Sequence, residues 1–165
     1  MLDRDPPPNS RPPAAADARA RRTSVEEALV HLDALYRLAW HLTGNEVDAE
    51  GLVHAAFGRA LGAAEEAVAI SLRARLCRAL RDAFVTGAPP ADVDGFGGAA
   101  PGDLQAALMK LPEEERMVIV LDLEDLSREE MAHVLACAPT MVPARLACAR
   151  AALRLELAEA RDGAL

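Results

Sequence analysis

Residues Ser127 to Arg154, SREEMAHVLACAPTMVPARLACARAALR, leave the backbone few courses to follow. Ser127 and Glu130 have the S-x-x-E spacing of a capping box, in which each side chain satisfies an orphan backbone N–H of the other. Met131, Val134 and Leu135 then fall on one face at helical spacing. Pro139 stops any continuous helix, and Thr140 is placed to cap the next one. Along that second helix Val142, Leu146, Ala149 and Leu153 form one apolar stripe. Two helices joined by so short a break have the geometry of a helix-turn-helix, whose second helix lies in the DNA major groove in the nucleic-acid-binding members of that class.

The rest of the chain agrees with a helical architecture. Apolar residues make up 52% of the 165, yet only 3% are aromatic, and alanine supplies much of the remainder. That favours close-packed helices over sheets, so the expected fold class is all-α. No apolar run approaches the ~18 residues of a membrane span, so no membrane partner is expected. The segment MLDRDPPPNSRPPAAADARARR lacks the apolar core of a secretory signal. Cys77, Cys137 and Cys148 are odd in number and not at metal-ligand spacing, which points to free, buried thiols in a reducing cytoplasm. His31, His41, His54 and His133 share no i, i+4 metal spacing, and no nucleophile–base motif is present. The expectation is therefore a cytoplasmic protein that is not an enzyme, with no metal, no cofactor and no small-molecule substrate.

Breaks in the helical pattern divide the chain. Residues 1–22, rich in Pro, Ala and Arg, read as a disordered tail. Residues 23–86 read as one helical domain. A helix over 25–42 opens at a second capping box, Ser24 and Glu27, with Val25, Leu29, Leu32, Tyr36 and Ala39 as its core stripe, and Tyr36 and Trp40 as core aromatics. Gly44 stops it, Asn45 caps a helix over 46–62, and a third helix runs over 66–85. Residues 87–102 carry Pro, Gly and acid without periodicity and read as a flexible linker; the GFGG within it has neither a preceding strand nor a following Lys-Ser/Thr to make a phosphate loop. Residues 103–160 read as a second domain, with a short helix at 103–110, a helix opening at Pro112 and the helix-turn-helix.

The net charge of −8 opposes non-specific DNA affinity, which normally comes from a basic field. Its distribution is uneven, however: from Thr140 to Leu155 there are three arginines and no acid. Basic character is local to the second helix of the helix-turn-helix, so DNA binding is expected to be weak alone or to lean on a larger partner.

Two stretches carry a family resemblance. LYRLAWHLTGNEVDAEGLVHAAFGRAL resembles the second conserved region of the extracytoplasmic-function sigma factors of bacterial RNA polymerase, with its D-A-E-D-L-V-Q-E-x-F-like motif. LQAALMKLPEEERMVIVLDLEDLSREEMAHVLACAPTMVPARLACARAAL resembles their fourth region: L-P-x-x-x-R-x-V-x-x-L, an acidic-Leu-Ser-x-x-E-x-A stretch, then T-V-x-x-R-L-x-x-A-R. The resemblance implies two helical domains joined by a linker, with core RNA polymerase, promoter DNA and, in some members, an anti-sigma factor as partners. It implies polymerase contact through Asp48, Glu50, Leu52, Val53 and Phe57. It implies DNA contact through Thr140, Arg145, Arg150 and Arg154 at the −35 element, and through Arg78 and Arg81 near the −10 element.

The departures fall at the same surfaces. Gly51, His54 and Ala55 stand where the family has Asp, Gln and Glu. The segment LRARLCRALRDAF lacks the family's tryptophan and has Asp82 near the usual Asn, so base capture by an aromatic or amide surface is not evident. Ala136-Cys137 replaces the usual turn glycine, and Pro143 the usual lysine. At ~100° per residue the outward face of the second helix reads Met141, Ala144, Ala147, Cys148, Ala151 and Leu155, with Arg145, Arg150 and Arg154 at its border. That face suits thymine methyls better than base-edge hydrogen bonds. Two readings therefore stand side by side: a sigma factor directing polymerase to promoters, and a sigma-like decoy or adaptor for an anti-sigma partner with little DNA contact. A DNA-binding regulator independent of polymerase is the third, and the sigma-like first half argues against it. Each charged position also has a plainer role open to it: a solvated or salt-bridged helix face for the arginines, and first-turn dipole complementarity for Asp48 and Glu50.

Overall fold

The computed structural model describes residues 25–62, 70–87 and 103–162. Among these the secondary structure is entirely helical. A helical turn, α1, spans residues 25–29. It is followed by α2 (Leu32–Thr43), α3 (Glu46–Gly62), α4 (Leu72–Val85), α5 (Asp103–Lys110), α6 (Glu113–Leu123), α7 (Arg128–Leu135) and α8 (Val142–Asp162), with a 3₁₀ turn at Pro139–Met141. The expected tail at 1–22, the Ser24 cap, most of the expected linker and the first residues of the expected 66–85 helix lie outside the described residues.

Local chemistry accounts for most of the helix ends. Gly44 terminates α2 in the left-handed conformation (φ 75°), and its N–H closes on the Trp40 carbonyl. A side chain there would be strained by that φ and would also meet Met109 Sδ at 2.9 Å. Asn45 Oδ1 accepts from the Asp48 N–H at 2.8 Å, which caps α3. Ser71 Oγ caps α4 by accepting from the Ala74 N–H. Pro112 precedes α6, whose first turn is Glu113, Glu114 and Glu115 at the positive end of the helix dipole. Both halves of the Ser127–Glu130 capping box are formed. The turn after α7 places Ala136 at φ 51°, ψ 45°, a left-handed alanine where glycine is the unstrained choice.

The first helix departs from the continuous 25–42 reading. The chain breaks at residues 30–31, where the His31 N–H bonds the Ala28 carbonyl, and α2 restarts at Leu32. The break exchanges the two apolar faces. Ala28, Leu35, Leu38, Ala39 and Leu42 enter the core, whereas Val25, Leu29 and Leu32 of the expected stripe are exposed. Tyr36 and Trp40 are half-buried and pack against the rim of the core. Periodicity alone cannot separate two apolar stripes on one helix; the choice was made by Leu52, Val53, Leu76 and Leu80 of α3 and α4, which fill the space beside Leu35 and Leu38.

The halves α1–α4 and α5–α8 share one continuous apolar core. α2 packs on α5 and α6, and α4 packs on α7. This seam concentrates the buried polarity. Gln105, Arg116 and Glu124 are the buried polar or charged residues among those described, and each bonds across it. Gln105 Nε2 donates to the Trp40 carbonyl at 3.2 Å, and its Oε1 lies 2.8 Å from His41 Nδ1. Arg116 Nη1 donates to the Leu42 carbonyl, and its Nη2 to the Leu111 carbonyl at 3.1 Å. Glu124 accepts from Arg37 Nε at 3.1 Å and Nη2 at 3.0 Å, while Arg73 Nη2 lies 3.4 Å from its Oε2.

Candidate functional site

α7 and α8 form the helix-turn-helix. The chain bends by 102° between Arg128–Leu135 and the segment from Pro139, within the range of DNA-binding examples. Val142 and Ala149 are buried against α6 and α7, while Leu146 and Leu153 are half-buried beside them. The opposite face carries Met141, Ala144, Ala147, Cys148, Ala151 and Leu155, all exposed. Thr140 sits in the 3₁₀ turn, exposed at the mouth of α8, and not in the N-cap position expected of it. The turn is stretched by that 3₁₀ segment because Pro139 supplies the φ of a first helical residue four positions before Pro143.

The three border arginines are not equivalent. Arg150 Nη2 donates to Asp122 Oδ2 of α6 at 2.7 Å, which fixes it against its own domain. Arg145 is half-buried beside Glu113 and Glu114 of α6 and Arg81 of α4. Arg154 is exposed. The surface that faces outward is thus apolar at its centre and cationic at its edge.

A second surface lies on the first half. Leu29 of α1, Leu32, Tyr36, Asp33 and Arg37 of α2, and Glu50, Val53, His54 and Phe57 of α3 enclose an open groove of about 670 Å³. It is made by the stripe that the break at residues 30–31 turned away from the core. Of the residues implied to touch polymerase, Glu50, Val53 and Phe57 line this groove. Leu52 is 5% exposed, belongs to the core and does not line the groove. Asp48 accepts from Asn45 Nδ2 at 2.6 Å at the start of α3, a capping arrangement. Burial, with the Glu46 and Glu50 carboxylates nearby, pushes the Tyr36 phenol above its ordinary 10.0, so the ring stays neutral and hydrogen-bonding.

Three arginines of α4 are already engaged. Arg73 donates to the Glu124 backbone carbonyl as well as facing its carboxylate. Arg78 Nη1 donates to the His133 carbonyl at 3.0 Å. Arg81 pairs with Asp82 at 3.2 Å. Cys77, between Arg73 and Arg81 on the same helical face, is 3% exposed, and burial pushes its thiol up to about 12. Cys137 is half-buried and Cys148 is exposed, so only Cys77 is the buried thiol expected of all three. Cys148 stands outward because α8 turns its alanine-rich back to solvent. The pairing across the seam escaped the sequence: Glu124 and Arg116 belong to quoted motif stretches, but their partners, Arg37 and the α2 C-terminus, lie more than seventy residues away.

The architecture is that of a helix-turn-helix protein in which a second helical unit leans on the reading module. Residues 102–153 match the Sigma-70 region 4 family. The chain is 31% identical over 169 residues to the ECF RNA polymerase sigma factor SigE of Mycolicibacterium smegmatis, a match covering 88% of this chain and 66% of that protein. The chain therefore spans a little under two thirds of that relative's length. Its fold is similar to that of the sigma factor RpoE of Bartonella quintana, solved in complex with the anti-sigma factor NepR, with a TM-score of 0.65, 24% identity, and coverage of 80% of this chain and 94% of that one. This chain belongs to the extracytoplasmic-function sigma factors.

Proposed function

We propose that this chain directs core RNA polymerase to promoters in bacterial transcription initiation, acting in the cytoplasm as a binding protein and not as an enzyme. Residues 23–86 form the unit that docks on polymerase and faces the −10 element, and residues 103–160 the unit that places α8 at the −35 element. The observation that carries this reading is the pairing of two surfaces on one family framework: a helix-turn-helix with a 102° bend, and an apolar groove lined by Glu50, Val53 and Phe57. Asp48, beside the α3 cap, and the core residue Leu52 complete the polymerase-facing set on α3. On α8, Arg145, Arg150 and Arg154 flank phosphates while Thr140 and the apolar front face thymine methyls. On α4, Arg78 and Arg81 track the backbone near the −10 element. An anti-sigma factor is a further partner of the same surfaces.

The test is a run-off transcription assay with purified core polymerase, together with a core pull-down. The wild-type chain should yield promoter-specific transcripts, and Phe57→Ala should weaken core capture at least about tenfold, as truncation of a buried interface aromatic does. A chain that binds no core and programs no specific transcript overturns the proposal.

A further inference from the structure

We infer that the outward face of α8 is a self-association surface, on which a second copy of this chain packs its own α8 in parallel and in register. The surface is argued from α8 itself; that a second copy excludes DNA from it rests on the promoter-reading function proposed above.

Two stripes run along α8, and the core uses one of them. Val142 and Ala149 are buried, with Leu146 and Leu153 half-buried beside them. The other stripe is Met141, just before the helix, then Ala144, Cys148, Ala151, Leu155 and Ala158. All six are exposed, and their spacing alternates between three and four residues without a slip. That is the a/d repeat of a coiled coil, and the 21 residues of α8 hold three heptads of it. Packing inside one chain needs a single stripe. The second leaves Met141 and Leu155 47% and 67% exposed on one continuous apolar face. Its small central residues let two backbones approach closely, and Met141 and Leu155 fill the seam nearer its ends.

Charge selects the occupant and its direction. In a parallel pair a g residue of one helix meets the e residue of the following heptad on the other. With Met141, Cys148 and Leu155 at a, Arg154 falls at g and Glu159 at e, five residues on. Two copies in register therefore form two symmetry-related Arg154–Glu159 pairs. Both side chains are exposed, and neither is ion-paired among the described residues. Arg150 and Glu156 are instead engaged within the chain, with Asp122 at 2.7 Å and Lys110 at 3.4 Å. An antiparallel pair sets e against e and would have to draw on Arg145, which is half-buried beside Glu113 and Glu114.

The parallel register also sets Cys148 against itself. Helix axes about 8–10 Å apart, each with a Cα radius of about 2.3 Å, leave roughly 4–6 Å between opposed Cα atoms, which a disulfide can span. Alanine fills half of the seam, so the association should be weak, with a Kd of roughly 10 μM to 1 mM.

Sedimentation equilibrium of the full chain under reducing conditions should show a mass that rises from 17.5 kDa toward twice that value with concentration. Diamide then reads the register: its azo bond takes two electrons and two protons from two Cys148 thiols and becomes the hydrazine as the S–S bond forms. Wild type and Cys137→Ser should crosslink, and Cys148→Ser should not. Arg154→Glu should slow crosslinking about tenfold by setting like charges together, and Arg154→Glu with Glu159→Arg should restore it. Leu155→Glu should remain a monomer with far-UV circular dichroism unchanged. Excess promoter duplex should slow the wild-type crosslink. The surface is overturned if the chain stays monomeric at about 1 mM, or if Leu155→Glu associates as wild type does. A dimer whose Cys148 thiols do not crosslink, or that the charge swap does not restore, overturns the parallel register. If promoter duplex is not bound while Cys148 still crosslinks, the promoter-reading function fails and the self-association surface stands.

Discussion

Arg116→Met removes one of the two buried charges among the described residues. Arg116 is 8% exposed and serves the carbonyls of Leu42, Leu111 and, at 3.4 Å, Met109. Leu42 and Met109 belong to the last turns of α2 and α5, where carbonyls have no partner within their own helix. The guanidinium therefore closes two helix C-termini at once, and their negative dipole ends offset part of its desolvation. Burial lowers its pKa, with Glu113 opposing the shift weakly. Methionine has similar reach but donates nothing. Leaving two well-bonded carbonyls dry costs about 1–3 kcal/mol each. Relief of the buried charge returns part of this, since apolar replacement of buried ions is often neutral or better. The expected net loss is about 2–4 kcal/mol, or a fall in melting temperature of roughly 5–15 °C for a chain of this size. Urea denaturation followed by circular dichroism and by Trp40, the single tryptophan, measures both helix loss and seam opening. Arg116→Lys should recover part of the loss, because one ammonium cannot reach both helix ends. A variant as stable as wild type would refute the reasoning and show that water reaches the Leu42 and Leu111 carbonyls.

Ala136→Gly should raise stability by about 0.5–1 kcal/mol, because the left-handed φ of 51° is strained for alanine and not for glycine; a fall in melting temperature would contradict this. Ser71 first, then Ser127, hold Glu130 below its ordinary 4.5 by hydrogen bonds. Its folded pKa is depressed, so its stabilisation is full above the ordinary value and is lost as pH falls through the lower folded one. Glu130→Gln should accordingly flatten the acid limb of a stability–pH curve between about pH 3 and 5, and an unchanged limb would count against the Ser71 contact. For promoter DNA, Arg145→Ala and Arg154→Ala should each reduce the slope of log affinity against log salt by about one unit. Slopes unmoved by both substitutions would favour the decoy or adaptor reading over promoter binding.

The reading helices were legible because their signals are local. Ser127–Glu130, Gly44, Asn45 and Pro112 each act within four residues, and the structure places a cap or stop at every one. The outward face of α8 was legible too, since its apolar stripe marks the side that packs on α5 and α6 and leaves the alanine-rich side exposed. Where two choices were locally equal the sequence was silent. α2 carries two apolar stripes, and only packing against α3 and α4 sent Leu35 and Leu38 inward and left Leu29 and Leu32 to line a groove.

The sequence by itself determined most of the helices, several of their ends and the family framework, because caps, turns and periodicity are short-range and additive; the break at residues 30–31 and the 3₁₀ turn around Thr140 were not among them. Tertiary structure alone decided what the arginines do. Arg37, Arg73, Arg78 and Arg116 look alike along the chain, and each became a latch, a staple or a spent donor only when Glu124 or a helix C-terminus arrived from the other half. A long cation finds its partner through space, and burial fixes how strongly it is held.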